Sequence, residues 1–262
     1  MNVAPMTGTL DRGRRRSHRG CDFGALLAPT APEGVLTLER MVGDRQRLDA
    51  LLDAVGEDVG SARRDVQASL FLEGYAWTLG LPLAGALFAE RRAPGLAHAA
   101  VTLRATAWPQ ELVLADARFA ALADDPDADD PAAVVVTGES ELAGWLRAEL
   151  ICHLKAPVAE LAAHTGRSER ALWRSVGDRA AAAMLFAGEA GGDVPRAATL
   201  AGRLLSGPGP LTGRPDYRTI VVAGEPMRAH VRTGCCLWWR TQAAGCCATC
   251  PLTMRDARPT PA

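Results

Sequence analysis

Five of the chain's seven cysteines fall between Cys235 and Cys250, and this block constrains the 262-residue sequence more than any other feature. Gly234 precedes Cys235-Cys236, Gly245 precedes Cys246-Cys247, and Pro251 follows Cys250. In a reducing compartment such a cluster reads as metal-binding or catalytic before it reads as a disulfide framework, and the odd total agrees. Cytosolic residence is the expectation: the basic N-terminal stretch Arg12 to Arg19 is followed by a segment too short and too rich in Pro and Gly for the apolar core of a secretory signal. The most apolar window, Ser69 to Leu87, is interrupted by Glu73, Gly74, Gly80 and Pro82, so a buried helical hairpin is expected there rather than a membrane span.

Composition supplies the remaining bounds. With 48% hydrophobic and 23% charged residues the chain has the make-up of a globular domain. A net charge of -1 gives no field for gathering nucleic acid.

Helical periodicity runs through Leu38, Met41, Val42, Leu48, Leu51, Leu52 and Val55. Ser61 is the expected cap of a second helix, and Leu81-Pro82 the start of a third. Alternation at Val101 to Arg104 and again at Leu112 to Leu114 predicts two short strands. The aspartates between Asp124 and Asp130 read as a solvated loop, with nothing to hold their carboxylates together. A helix capped by Ser140 is expected to stop at Pro157. Residues 157–176 then form two helices about a Gly-containing corner, a spacing that resembles a DNA-binding helix-turn-helix. Without a basic excess, Leu161, Leu172, Trp173 and Val176 read instead as core. Further helices cover Ala180 to Leu185 and Pro195 to Leu205. Thr219 to Val222 and Met227 to Val231 form a hairpin that delivers the chain to Cys235.

Cys235, Cys236, Cys247 and Cys250 have the spacing C-C-x10-C-x2-C. Four thiolates hold either a tetrahedral zinc or an iron-sulfur cluster. Neighbouring side chains in extended backbone point to opposite sides, so adjacent cysteines serve one ion badly, and spreading four ligands over two irons relaxes that demand. His230 fits no ligand spacing and reads as a strand residue; Cys21 and Cys152 read as a tail thiol and a small hydrophobe.

The run Arg232-Thr233-Gly234-Cys235-Cys236-Leu237, with Arg240, Cys247, Cys250 and Pro251-Leu252, resembles the C-terminal signature of the ferric siderophore reductase family, the FhuF-like proteins. Ser168-Glu169-Arg170-Ala171-Leu172-Trp173 resembles a segment common upstream in that family. The resemblance departs at Trp238-Trp239 and at Cys246. It implies one 2Fe-2S cluster on Cys235, Cys236, Cys247 and Cys250, and one-electron reduction of a ferric siderophore, with the hydroxamate type favoured. It also implies a ferredoxin or flavin-dependent reductase as electron donor, and no nucleic acid or more than peripheral membrane contact. Arg228, Arg232, Trp238, Trp239 and Arg240 are the candidates for tuning the cluster or docking a partner. A cluster-bearing transcription regulator using residues 157–176 and a zinc-stabilised structural domain are the rival readings.

The expected fold is α+β, mostly helical with small antiparallel sheets and a C-terminal hairpin leading into the cluster loop. The expected organisation is a disordered tail over 1–34 and a reductase domain over 35–252. Within that domain, 35–92 and 139–205 are helical, 99–137 holds short strands, and 213–252 holds the hairpin and cluster. A flexible tail follows over 253–262.

Overall fold

A computed structural model describes residues 25–27, 43–97, 99–103, 108–114 and 118–254. Leu38, Met41, Val42, Cys21 and the basic N-terminal cluster lie outside them, as do residues 255–262. The fold is α+β and mostly helical, as expected. Within the stretch expected to be disordered, Ala25–Leu27 forms β1, which pairs parallel with Leu112 to Leu114.

Helix α1 (Arg45–Val59) starts where the Asp44 side chain accepts a hydrogen bond from Arg47 N and stops at Gly60, whose φ of +63° a side chain rarely adopts. Its buried face is Leu48, Leu51, Leu52 and Val55. Helix α2 (Arg64–Gly85) is apolar nearly all round because it is the central element, packed on α1, on the strand Pro109–Leu114 and most closely on the helix Glu169–Gly191. The expected break at Leu81-Pro82 is absent: Ser69 to Leu87 lies in one continuous helical stretch that passes through Pro82 into a π turn at Ala86–Glu90. Proline removes one backbone hydrogen bond, and burial of the surrounding turns outweighs that loss. Arg64–Glu90 is long and apolar enough to cross a membrane, but 83% of its most apolar window is buried inside the fold. Ser61 is not the cap; it lies before Arg63, and its carbonyl accepts from Gln67 Nε2.

Strands β2 (Arg92–Pro94), β5 (Phe119–Leu122) and β6 (Ala133–Val136) form one sheet, and β1, β4 (Pro109–Leu114) and β3 (Ala99–Leu103) another. The acidic loop after β5 is less free than its composition implies. The buried Arg92 guanidinium bridges Asp125 and Asp127 and holds two of the carboxylates together.

Helix α3 (Glu139–Thr165) begins at Gly138, with Ser140 inside its first turn, and runs through Pro157 instead of stopping there. Leu150, Leu154, Pro157, Val158 and Leu161 keep one buried face across the proline, and that burial carries the helix on. Gly166, with φ +72°, ends it; Ser168 caps α4 (Glu169–Gly191) by accepting from Ala171 N, and α5 (Val194–Leu205) follows. The corner expected at 157–176 is therefore present. Leu161, Leu172, Trp173 and Val176 are core, and α4 packs along α2.

Behind β2, burial lowers His153 from its ordinary 6.5 to about 4, against a backbone hydrogen bond at Leu96. Its Nε2 lies 2.8 Å from the Tyr75 hydroxyl. The folded protein thus keeps this imidazole neutral while the unfolded chain takes up a proton below pH 6.5. Stability from this group is full above pH 6.5 and declines as pH falls toward 4, by about 3 kcal/mol. Urea unfolding across that range should show the decline, and His153→Gln should flatten it.

Candidate metal centre

Strands β7 (Tyr217–Val222) and β8 (Glu225–His230) form the expected hairpin, turned tightly at Ala223-Gly224, both with positive φ. Between β8 and the short helix Pro251–Met254 the chain has only one 3-10 turn of regular structure, and buried charges on the long helices hold it. Asp178 of α4 accepts hydrogen bonds from Thr233 N (2.9 Å), Thr233 Oγ1 (2.9 Å) and Gly234 N (3.0 Å). His230 Nδ1 accepts from Asp216 N, so its other nitrogen carries the proton and donates to Asp178 at 3.1 Å. Burial alone would raise the Asp178 carboxyl; the bonds from His230, Thr233 and Gly234 and the Arg232 charge outweigh it and hold the group below its usual range. The approach is close: a Cβ at Gly234 would sit 3.1 Å from Arg174 Cβ of α4, so a side chain there would have to displace Arg174 by a few tenths of an ångström.

Arg232 is buried and ion-paired with Glu73 of α2, which is itself 2% exposed. Arg179 of α4 supplies a second cation, with Nε 2.6 Å from Glu73 Oε2. Desolvation works against the Glu73 charge, but the two guanidinium groups prevail and its carboxyl is lowered. Arg232 also donates to Gly234 O, so the Glu73–Arg232 pair and Asp178 together fix the backbone entering the cysteines.

At Cys235, Arg167 Nη2 donates to the carbonyl at 2.6 Å, and Sγ accepts from Leu237 N at 3.4 Å. Leu237 adopts φ +66°, a left-handed conformation that costs a non-glycine residue roughly 1–2 kcal/mol. Its buried side chain anchors the turn. The 3-10 turn Trp238–Arg240 follows, and Gln242 N donates to Val59 O, tying the loop to α1. A second tight turn, with Cys250 N donating to Cys247 O, brings the last two cysteines back.

Cys236 and Cys247 Sγ lie 3.8 Å apart. Two thiolates at about 2.3 Å from one tetrahedral ion stand about 3.8 Å apart, so this pair already has the edge length of a metal-thiolate site. Contact with Cys247 lowers the Cys236 thiol to about 6 against its burial, helped by the Arg232 charge. The same contact, with burial, raises Cys247. A metal held between them would take both sulfurs as thiolates and displace their protons. Cys250 is buried, Cys235 is half-buried, and Cys246 is exposed but in hydrogen-bond contact with Cys250. The donors pair rather than converge: among the described residues no three His, Cys, Asp or Glu side chains gather as a single-ion site requires.

A cleft of about 270 Å³ opens on this pair, with Cys236 and Cys247 in its wall beside Glu73, Arg179, Trp108 and Trp238. Of the arginines and tryptophans singled out in the sequence, Arg232 and Trp238 line this cleft. Trp239 lies under the Arg240 guanidinium, 4.6 Å from ring centre, and Arg240 pairs with Asp65. Arg228 is exposed on β8 opposite Thr219 and is not among the cleft's lining residues. Glu73, Asp178 and Arg167 escaped the sequence reading; His230 is the strand residue it was read as, and bonds Asp178 as well. The available signal was a carboxylate within an apolar helical stretch, Glu73 among Leu70, Phe71, Leu72, Tyr75 and Ala76, since buried carboxylates are rare unless paired.

No curated protein matches the chain. The sequence profile of the family described as ferric iron reductase FhuF-like transporter matches residues 69–203, from within α2 to near the end of α5. The match ends before Cys235 but contains Glu73, Arg167, Asp178 and Arg179, the residues that hold the cysteine loop. Covering half of the sequence, it shows that the chain belongs to the FhuF-like ferric iron reductase family.

Proposed function

We propose that the protein is a cytosolic reductase that passes single electrons to iron(III) in siderophore complexes, hydroxamates foremost, through a 2Fe-2S cluster held by Cys235, Cys236, Cys247 and Cys250. Such a cluster supplies one-electron transfer at a potential set by the charges and hydrogen bonds around it. The observation that carries the reading is the cleft walled by Cys236 and Cys247, where a solute comes within contact of the candidate ligands without entering the core. Its volume suits one chelating arm of an iron complex rather than an enclosed ligand. Trp238 and Trp108 offer apolar faces to that arm, and Arg179 a cation for ligand oxygens. Hard hydroxamate oxygens favour iron(III), so reduction weakens the complex and frees iron(II). Electrons come from a ferredoxin or flavin-dependent reductase.

The residues 157–176 that resemble a DNA-reading motif are occupied otherwise. Arg167 at the corner holds Cys235, and Arg174 packs on Gly234. Anaerobically reduced protein mixed with a ferric hydroxamate is expected to re-oxidise rapidly, with iron(II) trapped by a chelator in equal amount. Re-oxidation no faster than with the iron-free siderophore, or salt-sensitive DNA binding, would count against the proposal.

A further inference from the structure

The corner between α3 and α4 carries one residue with an unfinished contact. Arg167 sits on the connector between Gly166 and the Ser168 cap, its backbone N donating to Thr165 Oγ1. Thr165 Oγ1 in turn donates to Leu161 O at 2.6 Å, which ties the connector to the end of α3. From this fixed base the side chain spans to the cysteine loop, where Nη2 donates to Cys235 O at 2.6 Å. Its Nε is buried and has no hydrogen-bond partner among the described residues.

A buried N–H of a cation left without an acceptor costs more than the ordinary hydrogen bond is worth, and native structures seldom tolerate it. The guanidinium is a rigid planar fork, so with Nη2 fixed on the Cys235 carbonyl, Nε is held beside that residue too. The carboxylates that hold the cysteine loop are committed elsewhere: Asp178 to Thr233, Gly234 and His230, and Glu73 to Arg232 and Arg179. What a four-thiolate cluster brings to this loop is a set of anionic sulfur acceptors. The donor set fits such a group by the Cys236–Cys247 separation already described, and the orphaned Nε fits it by lacking what the group supplies.

We infer that Arg167 is a positioning and tuning residue: it tethers Cys235 through its carbonyl and donates its Nε–H to a sulfur of the cluster bound there. The inference rests on the cluster reading above. An N–H dipole and a positive charge aimed at sulfur favour the more negative, reduced state, so the contact raises the reduction potential. It also gives the corner that resembles a helix-turn-helix a use unrelated to DNA.

The test uses the full chain loaded with cluster, and the variants Arg167→Lys and Arg167→Ala. Lysine keeps the charge and one donor but cannot serve the carbonyl and the sulfur together. Optical redox titration should show the reduction equilibrium about tenfold less favourable in Arg167→Lys, a fall of about 59 mV for one electron, and at least that in Arg167→Ala. Pulsed EPR of the reduced wild-type protein, labelled with nitrogen-15 only in arginine, should show a nitrogen coupling that disappears in Arg167→Lys. Unchanged potential in Arg167→Lys would overturn the inference, including the case where Arg167→Ala merely loses cluster, because Arg167 would then be a tether alone. Should neither variant assemble, absence of any arginine side-chain nitrogen coupling in the wild-type protein overturns it, and a coupling that persists in Arg232→Lys supports it. Wild-type protein without iron and sulfide would sink the cluster reading and this role together, whereas an intact cluster indifferent to Arg167 sinks only the latter.

Discussion

Replacing Glu73 by glutamine is expected to lower the unfolding free energy by about 3–5 kcal/mol, because it removes the anion of a buried ion pair and leaves the cation. Arg232 is 7% exposed and cannot turn to water, while the Arg179 side chain, 34% exposed, can. The uncompensated charge is therefore Arg232, three residues before Cys235, so the loss reaches the cysteine loop as well as the helices. Urea titration of the variant measures the first effect. A double variant, Glu73→Leu with Arg232→Leu, is expected to be more stable than Glu73→Gln alone, since burying two apolar groups costs less than burying one unpaired charge. A double variant as unstable as the single one would show that the pair is not what holds this region.

Serine at Cys235, Cys236, Cys247 or Cys250 is expected to abolish cluster binding, whereas serine at Cys246 spares it. Cys236 and Cys247 should be the least tolerant pair: their sulfurs stand at the separation of two ligands on one ion, and Cys236 is already biased toward thiolate by its neighbour and Arg232. A serine hydroxyl does not ionise near neutral pH and is a harder donor than thiolate. Cys246 is exposed, and its hydrogen-bond contact with Cys250 is a neighbour's contact and not a place in the loop's interior. Visible absorption of the variants after anaerobic reconstitution measures this. Loss of absorption in Cys246→Ser with retention in Cys247→Ser would exchange their roles.

The features legible in the sequence are those encoded within a few residues. Ser168, Gly166 and Gly192 mark helix ends through their own caps and backbone preferences, and the cysteine spacing marks the candidate centre. The hairpin of β7 and β8 is marked by its Ala223-Gly224 turn and by the strand formers of β7, Tyr217 to Val222. What was not legible depends on distant partners. Glu73 and Arg232 are 159 positions apart, and Asp178 is 52 from His230, so no local pattern pairs them. Arg92 clamps Asp125 and Asp127 from a strand before them, which turned an acidic loop expected to be loose into a held one. Proline misled in both long helices, because a single missing hydrogen bond is visible in sequence and the burial that outweighs it at Pro82 and Pro157 is not. The strands β5 and β6 lack alternation: β5 is buried on both faces, and β6 has two exposed valines in sequence.

The centre as a whole is a loop of cysteines with little regular structure, held from behind by Glu73, Asp178 and Arg167 and open in front to a cleft. The family match covers the holding residues, and the cysteines supply the donors. The measurement that tests this arrangement most directly is the iron and acid-labile sulfide content of anaerobically purified wild-type protein. Two irons and two sulfides per chain, with the coloured absorption of thiolate-bound iron, are expected; a colourless protein carrying zinc in place of iron would contradict it.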